Sequence, residues 1–343
     1  MADRPTSRNT LVLPISPDRN QALPHTPTQR DVAAMVAESV RPTVQRERGC
    51  AYRPLLDGSL VARFAEAAIF ESLLQVCREV PRLDLLDLSF DDGAMWERFI
   101  FFLSTHNVAP DINLIALRDT TPDVRDSSQR MRAAAAAAGL RFECSFMVTA
   151  AQEWPGAIIR KHEALAVVAN MALHHVPDDG PGVDSTRTMV LRRVRRMDPR
   201  LVVAYEADFG PDAFRVLSRL GTHGSSASVV MDALAEMHEL GGGPRPNDLP
   251  AVLSERAPEL PAVWPARPEL PDRLENWRRR FFDAGYTGVD LMPLRGMIVR
   301  NCAMLPHAVI SPDQQALRLA WRGKPISNAS AWKPRLPGVR AGG

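Results

Sequence analysis

The chain has 343 residues, 45% of them hydrophobic and 24% charged, with a formal net charge of +2. That size allows one large domain or two small ones, and the composition supplies a sizeable core. The near-neutral balance does not argue for a nucleic-acid binder. Its cations are almost all arginine, with lysine only at Lys161, Lys324 and Lys333. Abundant Ala and Pro go with this, so codon bias explains the arginines better than a phosphate-binding role. Cys50, Cys77, Cys144 and Cys302 show neither metal-ligand nor CxxC spacing, which points to a reducing compartment. The polar N-terminus lacks a signal-peptide apolar run, and no stretch reaches transmembrane length. A soluble, non-secreted protein is expected.

Residues 1–50 are rich in Pro, Thr, Ser and Arg and read as a flexible arm, with one helix around "RDVAAMVAESV". From Tyr52 the texture changes. "LVARFAEAAIFESLLQVCREV" carries Val61, Phe64, Ala68, Leu73 and Val76 at helical spacing, a helix of about five turns. A short apolar run follows, "RLDLLDLSF", then a helical pattern, "AMWERFIFFLSTH". "INLIALRD" precedes a helix, "SSQRMRAAAAAAG", that Gly139 stops. "LRFECSFMV" and "EALAVVANMAL" are strand-like. "STRTMVLRRVRRM" is a helix ended by Asp198-Pro199, and "RLVVAYEAD" is a strand. Alternating strands and helices, with strands that are unbroken apolar runs, predict a doubly wound α/β domain with a mostly parallel sheet. The central strand is Leu83 to Leu88.

A Pro/Gly-rich segment, about 240–272, reads as an irregular insertion. Beyond it come a helix "RLENWRRRFFDAG", a strand "YTGVDLM", and a helix from about Pro293 to Met304. Two strands, "ALRLAW" and "ISNASAW", flank a basic turn and should pair antiparallel. Trp321 and Trp332 then stand at the ends of a closing hairpin and cap the sheet.

Four constellations carry candidate chemistry. In "DLSFDDGAMW", at the carboxyl end of the first strand, a ligand would meet Asp87, Ser89, Asp91 and Gly93. The loop has a single glycine, and Asp91 or Asp92 serves equally as an N-cap for the next helix. Asp119, ending the second strand, is placed to bind ribose hydroxyls or to sit in a solvated turn. His174 and His175, ahead of Asp178 and Asp179, could place a general base near an acceptor substrate, or be a loop-end pair. No third ligand at useful spacing supports a metal. Arg192, Arg193, Arg195 and Arg196 form the basic outer face of an amphipathic helix whose inner face is Val190, Leu191, Val194 and Met197. That face is solvated or meets an acidic protein or a nucleic acid. In "NWRRRFF", Trp277, Phe281 and Phe282 should pack inward with the arginines outward. No hydrolase elbow, P-loop, HExxH, helix-turn-helix or zinc-finger signature is present.

The order of these segments resembles the GRAS family. "LDLLDLSFDDGAMW" is similar to its Val-His-Ile-Ile-Asp strand, with Asp87 at the motif aspartate, Gly93 at the glycine and Trp96 at the tryptophan. "EALAVVANMALHHVPDD" resembles the Glu-Ala-Leu-Ala-Val-Asn strand. "VLRRVRRMDPRLVVAYEADFGPDAF" matches the next helix and strand through Pro199, Glu206 and Phe214. "ENWRRRFFDAGY" resembles the Trp-Arg helix, with Trp277, and the chain closes on the Ser-Ala-Trp motif at Ser330, Ala331 and Trp332. The resemblance covers roughly residues 51–335 and is nearest the SHORT-ROOT/SCARECROW-like branch, as a divergent plant member or a bacterial relative. Departures are Asp84 for the motif histidine, Val168 for the strand asparagine, and Arg267-Pro268-Glu269-Leu270 for Arg-Val-Glu-Arg. The leucine-rich region before the domain is mostly missing, which weakens the case for family-type heterodimers.

The resemblance implies a Rossmann-like, class I methyltransferase-type sheet over 51–337, with an antiparallel C-terminal hairpin and a helical cap from about 55–80 and 240–272. It implies a transcription regulator working through other transcription factors or regulatory proteins, without a cofactor, in the nucleus of a plant. The alternative is an S-adenosylmethionine-dependent methyltransferase or small-molecule binder in a bacterial cytoplasm. In that case Asp87, Ser89, Asp91, Gly93 and Asp119 would hold the cofactor, with His174 or His175 near the acceptor.

Overall fold

The computed structural model describes residues 60–90, 92–118, 125–154, 156, 164–177, 185–208, 273–302, 304, 307–321 and 323–335, the side chains of His175 and Lys324 excepted. The arm over 1–50, the insertion over 240–272, Asp91, Asp119, Asp178 and Asp179 lie outside these residues.

Helix α1 (Leu60–Cys77) leads into β1 (Arg82–Asp87), α2 (Ala94–Thr105), β2 (Asp111–Arg118), α3 (Arg125–Ala137), β3 (Phe142–Val148) and β4 (Leu165–Asn170). A single 3-10 turn (Leu173–His175), α4 (Thr186–Arg196) and β5 (Leu201–Ala207) follow. The described C-terminal part is α5 (Leu274–Asp283), β6 (Tyr286–Val289), a 3-10 turn (Met292–Leu294), α6 (Arg295–Asn301), β7 (Ala308–Asp313), β8 (Ala316–Trp321) and β9 (Lys324–Pro334). The sheet runs β3-β2-β1-β4-β5-β9-β8-β7, with β6 also paired to β9. β1 is the central strand, parallel to both β2 and β4, as the sequence predicts. The order is that of a Rossmann-like, methyltransferase-type sheet whose C-terminal strands turn antiparallel.

The apolar runs explain why the sheet is sandwiched. Leu83 and Leu85 of β1 join one core, with Val203 and Tyr205 of β5, while Leu86 and Leu88 join the other, with Val202 and Ala204. A strand buried on both faces has no polar register to offer, so it reads as unbroken hydrophobicity. Each such Leu or Val contributes about 1.5–3 kcal/mol on leaving water.

Helix α1 lies on the sheet face against β5 and β9 and beside α6, and Leu73 at its centre is fully buried. Two expectations are corrected. The segment before the hairpin holds an additional strand, β7, which pairs antiparallel with β8. Trp321 and Trp332 do not cap the sheet together, because they belong to the cores on its opposite faces.

β9 closes the structure. Its residues 327–332 pair with β5 on one edge. The other edge is shared, with β8 opposite 324–329 and β6 opposite 331–334. Ala331 therefore stands between Val203 and Val289, and Trp332 between Val202 and Gly288.

Candidate functional site

The carboxyl ends of β1, β2, β4 and β5 converge where a doubly wound sheet presents its ligand crevice. Asp87 ends β1 and is 2% exposed. One carboxylate oxygen accepts the indole N–H of Trp96 at 2.7 Å, and the other accepts the main-chain N–H of Ser89 at 2.9 Å. Ser89 in turn donates its hydroxyl to the carbonyl of Asn170, the last residue of β4, at 2.7 Å. The loop thus stitches β1 to β4 and to its own helix.

Phe90 crosses to the other side. Its N–H bonds the Leu117 carbonyl at 3.2 Å, its ring meets Phe146 edge-on at 5.0 Å, and the Arg118 guanidinium lies over it at 5.4 Å. Gly93 takes φ +88, and a Cβ there would come within 3.3 Å of both Met131 and Phe90. Gly93 is therefore required by its own fold and by α3, independently of any ligand. It is also the N-cap of α2, correcting the expectation of an aspartate there. Asp92 acts one step further in, accepting the N–H of Ala94 at 2.9 Å. Arg130 of α3 fixes the loop by donating to the Asp92 carbonyl at 2.8 Å and pairing with Glu97 at 2.8 Å.

These residues do not fit the amino-acid end of S-adenosylmethionine. Both oxygens of Asp87 are engaged, and Phe90 and Met131 close on the one glycine. Asp91 and Asp119, the remaining cofactor candidates, lie outside the described residues.

The second cluster sits at the ends of β4 and β5. Met171 turns left-handed, at φ 55, and so ends β4 and swings the next turn over β5. Glu206, 1% exposed, accepts the N–H of Leu173 at 2.8 Å and lies 2.8 Å from Nδ1 of His174. Burial first, and then the charge of Arg187, pull the His174 pKa down from 6.5 to about 3. The imidazole is thus neutral and donates from Nδ1 to Glu206. Arg187 completes the cluster, donating to the carbonyls of Val176 and His174, each at 2.9 Å. Buried and bonded through Nδ1 to Glu206, His174 ties the turn after β4 to β5. The two histidines lie in the 3-10 turn that follows β4.

The arginine helix α4 is amphipathic as predicted, with Val190, Leu191 and Val194 buried. Its basic face is not uniformly free. Arg193 donates to the carbonyls of Gln152 and Trp154. Arg195 donates to those of Gly285 at 3.2 Å and Arg335 at 3.0 Å. Arg192 is half-buried, and Arg196 alone of the four is exposed. On α5 the pattern also departs from expectation. Phe282 is 46% exposed, whereas Arg280 is buried, donating to the Ser185 hydroxyl at 2.6 Å. The guanidiniums of Arg187 and Arg280 lie 5.4 and 5.9 Å from the Trp277 ring centre. Arg187 and Arg280 are not legible in the sequence, since a buried arginine carries no periodicity signal apart from its aromatic partner.

A model of the GRAS domain family matches residues 22–333. The chain belongs to the GRAS domain family. Among similar proteins, "Protein SLENDER RICE1-LIKE 1" of Oryza sativa subsp. japonica is 26% identical over 309 residues, 85% of this chain and 61% of that protein. The "Scarecrow-like transcription factor PAT1" of Arabidopsis thaliana is 25% identical over 285 residues, 78% of this chain and 56% of that protein. This GRAS chain therefore spans about three fifths of the length of such relatives. The crystal structure of SCL7 in Oryza sativa aligns with a TM-score of 0.62 and 19% identity, covering 82% of each chain, which shows the shared fold. Among the described residues no helix is long and apolar enough to cross a membrane, and no group of His, Cys, Asp and Glu could hold a metal ion. Cys77, Cys144 and Cys302 are free thiols.

Proposed function

We propose that this GRAS protein is a transcription regulator that works by binding other regulatory proteins in a plant nucleus, and not a methyltransferase. The observation that carries this reading is the closure of the first loop: Asp87 spends both oxygens on Trp96 and Ser89. A methyltransferase of this fold places its cofactor at that position. Here Asp87, a candidate at that position, and His174, a candidate base near the acceptor, are both engaged by the fold. The similarity to the Arabidopsis Scarecrow-like transcription factor PAT1 supports the same reading.

Titration calorimetry with S-adenosylmethionine and S-adenosylhomocysteine is the direct test. Micromolar binding, about −8 kcal/mol, would overturn the proposal. No heat, together with a changed reporter output when the chain is fused to a heterologous DNA-binding domain, is the expected result.

A further inference from the structure

We propose that the amino-terminal rim of the sheet, opposite the loop of Asp87, is a docking surface for an acidic segment of a partner protein; this rests on reading the chain as a protein-binding regulator. The topology gathers there cations that the sequence scatters. Arg82 opens β1, Arg141 immediately precedes β3, and Arg200 immediately precedes β5. β9 runs antiparallel and ends at the same rim, with Trp332 opposite Val202, so Lys333 and Arg335 emerge beside Arg200. Helix α4 returns to this end and delivers Arg196. From β3 to β9 the rim spans six neighbouring strands, about 24 Å.

The side chains are open to solvent: 55% for Arg82, 83% for Arg141 and 48% for Arg200. Carboxylates are present but outnumbered. Asp111 is shared by Arg82 at 3.4 Å and Arg141 at 3.7 Å, and Glu79 pairs with Arg200. Asp198 lies 3.5 Å from Arg195. Arg196, Lys333 and Arg335 have no ion-pair partner among the described residues. The surplus positive charge is therefore real, and it is concentrated at the β5–β9 end.

That end also holds a preorganised anchor. The Arg335 guanidinium lies 4.3 Å over the exposed ring of Phe282 and donates to the Phe282 carbonyl at 2.8 Å. Its main-chain N–H bonds Gly285 at 2.9 Å, and Arg195 braces both residues from behind. A guanidinium held on an aromatic face loses little freedom when it forks onto a carboxylate. Phe282 offers an apolar contact beside it, and Arg with aromatics is the composition that interface hot spots favour. The interleaved carboxylates decide the class of partner. A duplex carries a charge every 1.7 Å or so and would meet Glu79, Asp111 and Asp198 head-on. A peptide can space its carboxylates between them and place an apolar side chain against Phe282.

The test is fluorescence anisotropy of the full chain with a labelled peptide alternating Asp/Glu with Leu/Phe. Its Asn/Gln counterpart and a labelled DNA duplex are run alongside. The acidic peptide should bind, more weakly as salt rises. The double variant Arg196→Glu with Lys333→Glu should weaken binding about tenfold or more. Reversing Arg196 in the last turn of α4 costs no more than the helix-end charge effect, so a Tm lowered by only a few degrees, with a cooperative transition, is the folding control. Arg196→Gln with Lys333→Gln should give a smaller loss in the same direction. Arg125→Glu, at the opposite end of the sheet, should have no effect. The proposal is overturned by absent peptide binding, by a duplex that binds tighter, or by equal losses in Arg125→Glu. S-adenosylmethionine binding would sink the regulator reading and leave a peptide result standing, so the two failures are separable.

Discussion

The indole of Trp332 lies flat on the ring of Phe281, 4.4 Å between centroids and 2° from parallel. One residue is in the last strand and the other in helix α5, so the stack fastens α5 to the sheet. Trp332 also donates its N–H to the Ser330 hydroxyl at 2.9 Å, within the Ser-Ala-Trp motif. Trp332→Ala should therefore destabilise by about 3–5 kcal/mol, the usual cost of emptying a buried aromatic site. Truncation before residue 327 should do more, because it strips β5 of its antiparallel neighbour. Thermal unfolding measures both. A truncated chain that keeps its Tm would show the strand to be a dispensable tail.

The Trp96–Asp87 bond offers a cleaner probe. Trp96→Phe keeps most of the ring volume and removes the N–H that Asp87 accepts. The carboxylate, 2% exposed, is left short of a donor, at a cost of about 1–3 kcal/mol. Denaturant unfolding should show it as a lower midpoint with an unchanged slope. Trp96→Phe together with Asp87→Asn should recover part of the loss, since the buried charge goes with its donor. No recovery would mean that packing of the indole against Phe99, and not the hydrogen bond, dominates.

How far the sequence announces these features depends on the distance over which each is determined. The apolar runs of β1, β4 and β5 are local, and the sheet order follows from them. β7, "AVISPD", is illegible because it is a short outer strand broken by Pro312 and paired only with β8 among the described residues. The opposite faces of Trp321 and Trp332 are illegible for another reason. A register shift between Leu319 and Ala320 resets the alternation, so counting by twos across the hairpin gives the wrong face. The loop aspartates read correctly as local turn chemistry at Asp92 but not at Gly93, whose tight contact with Met131 comes from α3. Arg280 reads as solvated because its partners, Ser185 and Trp277, become visible only in three dimensions.

Asp208 is the residue most worth testing among those the sequence does not reveal. It is 5% exposed, and it accepts the N–H of Leu274, the first residue of α5, at 3.0 Å. Arg318 of β8 spans Asp208 at 2.5 Å, Asp313 at 2.7 Å and Glu275 at 2.9 Å. The end of β5 is thus tied to the start of α5. Asp208→Ala should cost about 1–3 kcal/mol and expose the first turn of α5 to faster amide exchange. Exchange that rises uniformly over the whole sheet instead would show that Asp208 holds the global fold and not this junction.

The last prediction concerns acid. His174 is neutral in the folded protein, with its pKa lowered to about 3, whereas an unfolded chain releases that proton near 6.5. Between those values the unfolded state binds one more proton than the folded state. Stability is therefore intact above about pH 6.5 and falls as the pH is lowered towards 3, by up to about 1.4 kcal/mol per unit for this one group. His174→Gln keeps a side-chain N–H for Glu206 and has no proton to gain. It should be less stable than wild type at pH 7.5, because the fit is poorer, yet lose less on acidification, so that the two curves converge below about pH 5. Carboxylates remote from the site titrate alike in both proteins and cancel in the difference, and Glu206→Gln in both backgrounds removes the carboxylate that contacts residue 174. Parallel wild-type and variant curves from pH 7.5 to 4.5 would mean that His174 does not carry the acid sensitivity assigned to it.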